Sequence, residues 1–214
     1  MNLNNLDPIS IALVLAGLSL LPLLLICTTC FLKVSMVLVI VRNAIGVQQV
    51  PPSIAIYGVA LALTLFVMAP VFNEAAAKLP GAGAQSFSVA DLAPAAEPMR
   101  RFMVRNTPPE KRAHFLALAQ RQWRGTPLAV LATDSDYVIV IPSFVISELE
   151  LAFQIGFVLY IPFVVIDLLL SNVLLALGMQ MVSPMVVSLP LKMLLFVMLE
   201  GWSKLADGLL RSYS

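Results

Sequence analysis

The chain has 214 residues, of which 60% are hydrophobic and only 12% charged, with a mean hydropathy of +0.94. That is about half the charge of an ordinary soluble domain, so composition places the chain in the membrane class, and a net charge of +1 is too small to point to a nucleic-acid partner.

Residues 9–32 carry no charge and are long enough to cross a bilayer. Pro22 is expected to bend this run. The preceding MNLNNLDP has no Lys or Arg, and the apolar stretch exceeds the core of a secretory signal, so a retained segment is expected. Cys27 and Cys30 stand in CxxC spacing inside this run. Thiols in uncharged apolar surroundings stay protonated and inert, so packing is their expected role. Metal binding lacks ligands, since His114 is the only histidine and lies far away in sequence.

Lys33 and Arg42 flank VSMVLVIV, and RNAIGVQQVPPS (42–53) follows. Gly46 and the pair Pro51 and Pro52 mark a turn. Residues 54–72 form a second uncharged run, so 1–72 reads as a hydrophobic helical hairpin. Residues 73–140 differ. Gly81, Gly83 and repeated prolines punctuate them, and Arg100, Arg101, Arg105, Lys111, Arg112, Arg121 and Arg124 concentrate positive charge. TPPEKRAHFLALAQRQW (107–123) reads as one amphipathic helix with Thr107 as cap, Pro108 in its first position and Glu110 as the capping-box acid. Phe115, Leu118 and Trp123 supply a partial apolar stripe. The segment is expected to be a small helical, solvent-facing insert. Orientation by positive charge favours a cytoplasmic turn at Lys33 and Arg42, which would put the insert on the periplasmic or exterior side.

Residues 141–214 form the second apolar part. Glu148 and Glu150 interrupt it early; two residues apart, they diverge on a helix and read as a helix end facing water or a partner. Within it, ALGMQMVSPMVVSLPLK (176–192) breaks a hydrophobic run with Gly178, Pro184 and Pro190. With 178–184 as a turn, Asp167 lies 11 residues before Gly178 and Lys192 lies 8 after Pro184. At 1.5 Å per residue both sit at nearly the same depth, about 16 and 12 Å from the turn. Each charge alone in hydrocarbon would cost a few kcal/mol, which favours an Asp167–Lys192 pair. The alternative has Lys192 snorkelling and Asp167 facing water or another subunit. Met179, Met181 and Met185 cluster at the same tip. Flexible thioethers either fill an irregular core or, where tips converge in an oligomer, plug a pore by packing and dewetting. No nucleophile elbow, HExxH, P-loop or dinucleotide fingerprint occurs, so no enzyme, metal or cofactor is expected.

VRNAIGVQQVPP (41–52), SELELAFQIGF (147–157), IPFVVIDLLLSNVLLALGMQMVSP (161–184) and SLPLKMLLFVMLEGW (188–202) resemble, in this order, the SctR/FliP family of export-gate proteins. These belong to type III secretion systems and the bacterial flagellum. The short N-terminus looks more like the injectisome branch. The resemblance implies an all-α fold of two bent hydrophobic hairpins flanking the insert, in a helical pore-forming oligomer. It implies about five copies around one pore, joined by SctS-like and SctT-like subunits (FliQ and FliR in the flagellum), with SctU-like and SctV-like components nearby. The implied task is passage of unfolded secreted proteins across the bacterial inner membrane, in a multi-pass assembly projecting to the periplasmic side. The family's methionine gasket maps onto Met179, Gln180 and Met181. Gln180 departs from the all-Met pattern, which puts its sealing role in doubt. The family's acid and lysine match Asp167 and Lys192. The competing reading is a homo-oligomeric multispan transporter or ion channel that uses those two charges as its substrate or proton site.

Overall fold

A computed structural model of the protein describes residues 8–47, 50–79 and 92–213. The MNLN start, Gln48, Gln49, Pro80, Gly81 and Gly83 lie outside the described residues. Among those described, nine helices follow one another: α1 (Pro8–Thr28), α2 (Phe31–Ile45), α3 (Ser53–Ala77), α4 (Leu92–Arg105), α5 (Pro109–Gln122), α6 (Leu128–Leu131), α7 (Tyr137–Ala176), α8 (Pro184–Met198) and α9 (Gly201–Arg211). The fold is all-α, with bent apolar helices.

α1 continues as helix through Pro22, and a sharp turn of 82° follows at Thr29 and Cys30, where none is expected from the sequence. The cause is local. Thr28 and Thr29 donate their hydroxyls to the carbonyls of Leu24 and Leu25, at 2.7 and 2.6 Å. The Phe31 amide donates to Thr29 Oγ1 at 3.3 Å rather than to a ladder carbonyl. Side-chain oxygens that compete with the ladder in this way end or bend helices.

α2 is the central element. Val34, Val37, Leu38, Val41, Ala44 and Ile45 are all buried, and the helix is packed chiefly by α7, with α3, α8 and α1 on its other sides. Gly156 permits the α2–α7 crossing: a Cβ there would lie 2.5 Å from Ile40 Cδ1 and 3.2 Å from Ile40 Cβ. α3 contributes a narrower stripe, Ile56, Ala60, Thr64 and Met68, spaced by four as one face of a helix requires.

The insert helices pack on this body, α4 against α3 and α7, and α5 against α7. Phe102 of α4 stands between Phe144 and the ring of Tyr213, with centroids 5.9 Å apart in both contacts. The capping expected at 107–110 does not form. Pro108 occupies the cap position, no side chain caps α5, and Thr107 is buried with its hydroxyl donated back to Met103 at 2.8 Å. The helical stripe of α5 is also shallower than expected: Ala119 alone is fully buried. Much of the insert's positive charge is matched within the chain. Arg100 pairs with Glu97 at 2.7 Å, Lys111 with Glu150 at 2.6 Å, Arg112 with Asp134 at 2.5 Å, and Arg101 with Glu74.

α7 has 40 residues, hence a length of about 60 Å. The chain then turns back through residues 177–183 into α8. A second break at Leu199 and Glu200, where Glu200 adopts φ 52, turns α9 away from α8 by 60°. Gly201 follows the break because a Cβ would meet the Phe196 ring at 2.4 Å, and that ring is held edge-on against Trp202 at 5.2 Å. α3 and α7 are each long and apolar enough to cross a membrane. Most of their apolar surface is uncovered within one chain: Phe66, Phe157 and Val158 are more than half exposed.

Candidate functional site

The α7–α8 hairpin carries the residues singled out in the sequence. Its tip is fixed by backbone geometry. Gly178 adopts φ +72; its amide donates to the Leu175 carbonyl at 3.0 Å, and the Met179 amide donates to Leu174 at 2.9 Å. These two bonds form a Schellman motif, which stops α7 and makes Met179 the first residue of the turn. Pro184 then restarts the chain as the first residue of α8. A Cβ built on Gly178 would meet open space, so the turn is uncovered at this point. Met181 is fully exposed, Met179 and Met185 are about half exposed, and Gln180 is exposed between them. Three flexible apolar side chains thus project from one turn.

Beneath the tip, Asp167 and Lys192 meet across the hairpin. Lys192 Nζ donates to Asp167 Oδ2 at 2.5 Å, and it also reaches the Ala44 carbonyl at 3.4 Å. Ala44 lies in the last turn of α2, where carbonyls lack helical partners and the macrodipole favours a cation. One buried ammonium, 5% exposed, therefore joins α7, α8 and the end of α2. The adjoining cavity of about 390 Å³ is lined by Asn43, Tyr160, Ser183 and Ser188 among others.

A second polar cluster lies deeper, and sequence reasoning missed it. Glu148 does not mark a helix end facing water: it is 0% exposed and sits well inside α7. Lys33 Nζ lies 3.5 Å from its Oε1, and the Tyr213 hydroxyl donates to its Oε2. Lys33 also stands 3.6 Å over the Tyr213 ring, a favourable cation–π placement. Glu150 points the other way, to Lys111 at the surface. The one signal in the sequence was Lys33, a single cation between the uncharged runs 9–32 and 34–41. Cys30 is buried and Cys27 half-buried, both as free thiols. Among the described residues no group of three His, Cys, Asp or Glu side chains could hold a metal ion.

The chain is similar over its whole length to known proteins. It is 52% identical to the Harpin secretion protein HrcR of Erwinia amylovora across 217 aligned residues, covering 100% of both chains. It is 54% identical to the Harpin secretion protein HrpW of Pseudomonas syringae pv. syringae, covering 95% of this chain and 99% of that one. It is 42% identical to the Yop proteins translocation protein R of Yersinia pestis, covering 97% of each. The FliP family pattern matches residues 14–209, which take in most of both apolar parts, the insert, the methionine tip and both ion pairs, and on that extent of agreement this chain belongs to the FliP family.

Proposed function

We propose that this protein is a core pore-forming subunit of a type III secretion export gate in the bacterial inner membrane, passing unfolded proteins to be secreted. One observation carries the reading. A methionine-bearing tip, with Met181 fully exposed and Met179 and Met185 about half exposed, stands at the end of a hairpin clamped by the ion pair of Lys192 and Asp167. A turn so exposed and so apolar is built to be covered by something outside the chain. Its relatives are named for secretion and translocation, which supports export as the purpose.

In this reading residues 1–72 and 141–214 act as the two hairpins, with 73–140 as the periplasmic-side insert. About five copies close around one axis, together with SctS-like and SctT-like subunits and neighbouring SctU-like and SctV-like components. The tips converge, and Met179, Gln180 and Met181 form the constriction. Thioethers suit this because they repack around varied cargo, while an apolar ring excludes ions by dewetting. Gln180 is the weak point, since its amide hydrates. Asp167 and Lys192 serve structure, holding each tip at a fixed height. That placement disfavours a homo-oligomeric transporter with these charges as its substrate site, because the ammonium is buried and already engaged by Asp167 and Ala44.

The test is Met179→Ala with Met181→Ala, measuring ion leakage and secretion in the assembled complex. Leakage is expected to rise while secretion persists. Unchanged conductance would remove the gasket. Purification without hetero-oligomeric partners would favour the transporter.

A further inference from the structure

Tyr213 directly follows the last turn of α9 and its Ser212 cap, yet it is as buried as a core residue. Four contacts from three other helices converge on it. Its hydroxyl donates to Glu148 Oε2 of α7. The Lys33 ammonium of α2 lies 3.6 Å over its ring. Phe102 of α4 stacks on that ring at an interplanar angle of 24°. Arg105 Nη2, also of α4, donates to its carbonyl at 2.9 Å.

α9 itself is held loosely. Only Leu205 and Leu209 are buried, and an apolar groove open to the surface, about 390 Å³ and lined by Val41, Leu159, Phe163, Phe196, Leu205 and Leu209, runs along it. At its other end α9 joins α8 through Glu200, in the left-handed region at φ 52, so the joint is a bend and not a continuous helix. The arm formed by α8 and α9 is thus pinned at two points: Lys192 near the tip, and Tyr213 beyond α9.

We infer that Tyr213 is a clasp: docking of its phenol between Lys33 and Glu148 holds α9 against the body, and its withdrawal releases α9 as a unit about Glu200. Withdrawal leaves Lys33 facing Glu148 at 3.5 Å, which offsets part of the carboxylate's charge, but it takes away the hydrogen bond on Oε2 while Oε1 has none, so the docked position is the favoured one. Because α9 buries only Leu205 and Leu209 and an open groove runs beside them, few packed contacts are broken with it.

The experiment is amide hydrogen exchange on the detergent-extracted protein with its co-purifying subunits, reading residues 201–211. Tyr213→Phe keeps the ring, the stacking and the cation over the ring, and loses only the hydroxyl. Loss of one hydrogen bond to a charged acceptor should raise exchange in α9 by about tenfold or more, and Tyr213→Ala should raise it further. Protection unchanged in both variants would overturn the inference. The coupling is tested by repeating Tyr213→Phe on a Lys33→Met, Glu148→Leu background, whose apolar replacements remove the charge site without leaving one ion alone. There the hydroxyl should be worth less than about twofold, and an undiminished tenfold effect would show that the phenol acts elsewhere. Because the readout is the chain's own amides, the clasp can fail while the export role stands, and the reverse.

Discussion

Removal of Asp167 tests the hairpin clamp most directly. In Asp167→Ala the Lys192 ammonium loses its 2.5 Å carboxylate and keeps only the 3.4 Å contact with Ala44. Breaking a fully buried ion pair from one side costs about 3–5 kcal/mol. The Asp167 side chain is 46% exposed, whereas that of Lys192 is 6% exposed, so water screens the pair from one side. The figure for a single charge-assisted hydrogen bond, about 1.5–3 kcal/mol, is then the better guide. Near 2 kcal/mol the docked hairpin loses roughly thirtyfold in population. The double replacement Asp167→Leu with Lys192→Met should lie within about 1 kcal/mol of the parent, since no unpaired ion remains. The charge swap, Asp167→Lys with Lys192→Asp, should rescue only in part. A carboxylate at 192 would face the Ala44 carbonyl at the negative end of α2, losing about 0.3–1 kcal/mol of dipole attraction and meeting repulsion of similar size. Thermal melting of the detergent-extracted protein, with secretion measured alongside, should rank the single variant worst, the swap intermediate and the apolar pair best. A single variant no less stable than the apolar pair would refute the reasoning, because the stranded ammonium would then carry no penalty.

Two glycines give sharper steric predictions. Gly156→Ala should lower the melting temperature by the equivalent of about 1–3 kcal/mol, since the Ile40 side chain must move and its Cβ, 3.2 Å away, must give by a few tenths of an ångström; a neutral result would refute close packing of α2 on α7 at this position. Gly178→Ala meets open space, so its loss should be the left-handed backbone term alone, about 1–2 kcal/mol, and Gly178→Asn should recover most of it. Equal melting temperatures for the Ala and Asn variants would argue against the Schellman turn.

Much of the fold is legible because its signals are local. Hydropathy marks α3 and α7, and Gly178 with Pro184 marks the tip. Counting residues from that turn sets Asp167 and Lys192 at one level, since helical rise is nearly constant. The bend at Thr29 escaped because it depends on where the hydroxyls of Thr28 and Thr29 bond, and on the Phe31 amide that turns to one of them, rather than on residue type. Thr107 misled because it has the residue type of a cap without the required geometry. Glu148 escaped for a different reason. Its spacing from Glu150 says only that the two diverge, and which of them turns inward depends on Lys33 and Tyr213, both distant in sequence. Burial of an ion is decided by its partner, and partners across a fold leave no mark in a window of neighbours.

The charges along α7 also constrain where its apolar surface can lie. Glu150 is half exposed and paired with Lys111, and Asp167 is half exposed beneath the tip. Between them residues 151–166 carry no charge, a length of about 24 Å at helical rise. The hydrocarbon core of a bilayer is about 30 Å thick. A bilayer centred on this window would draw one carboxylate or the other into lipid, at a few kcal/mol or more. Apolar exposure nevertheless continues past both charges, at Val138 before Glu150 and at Val173 and Leu175 beyond Asp167. Lipid in one position cannot cover all of it. Protein can, because a neighbouring subunit supplies both apolar area and polar partners along the same helix. The length of α7, set against the spacing of its two surface carboxylates, is therefore what the proposed oligomer requires and what a simple membrane span does not explain.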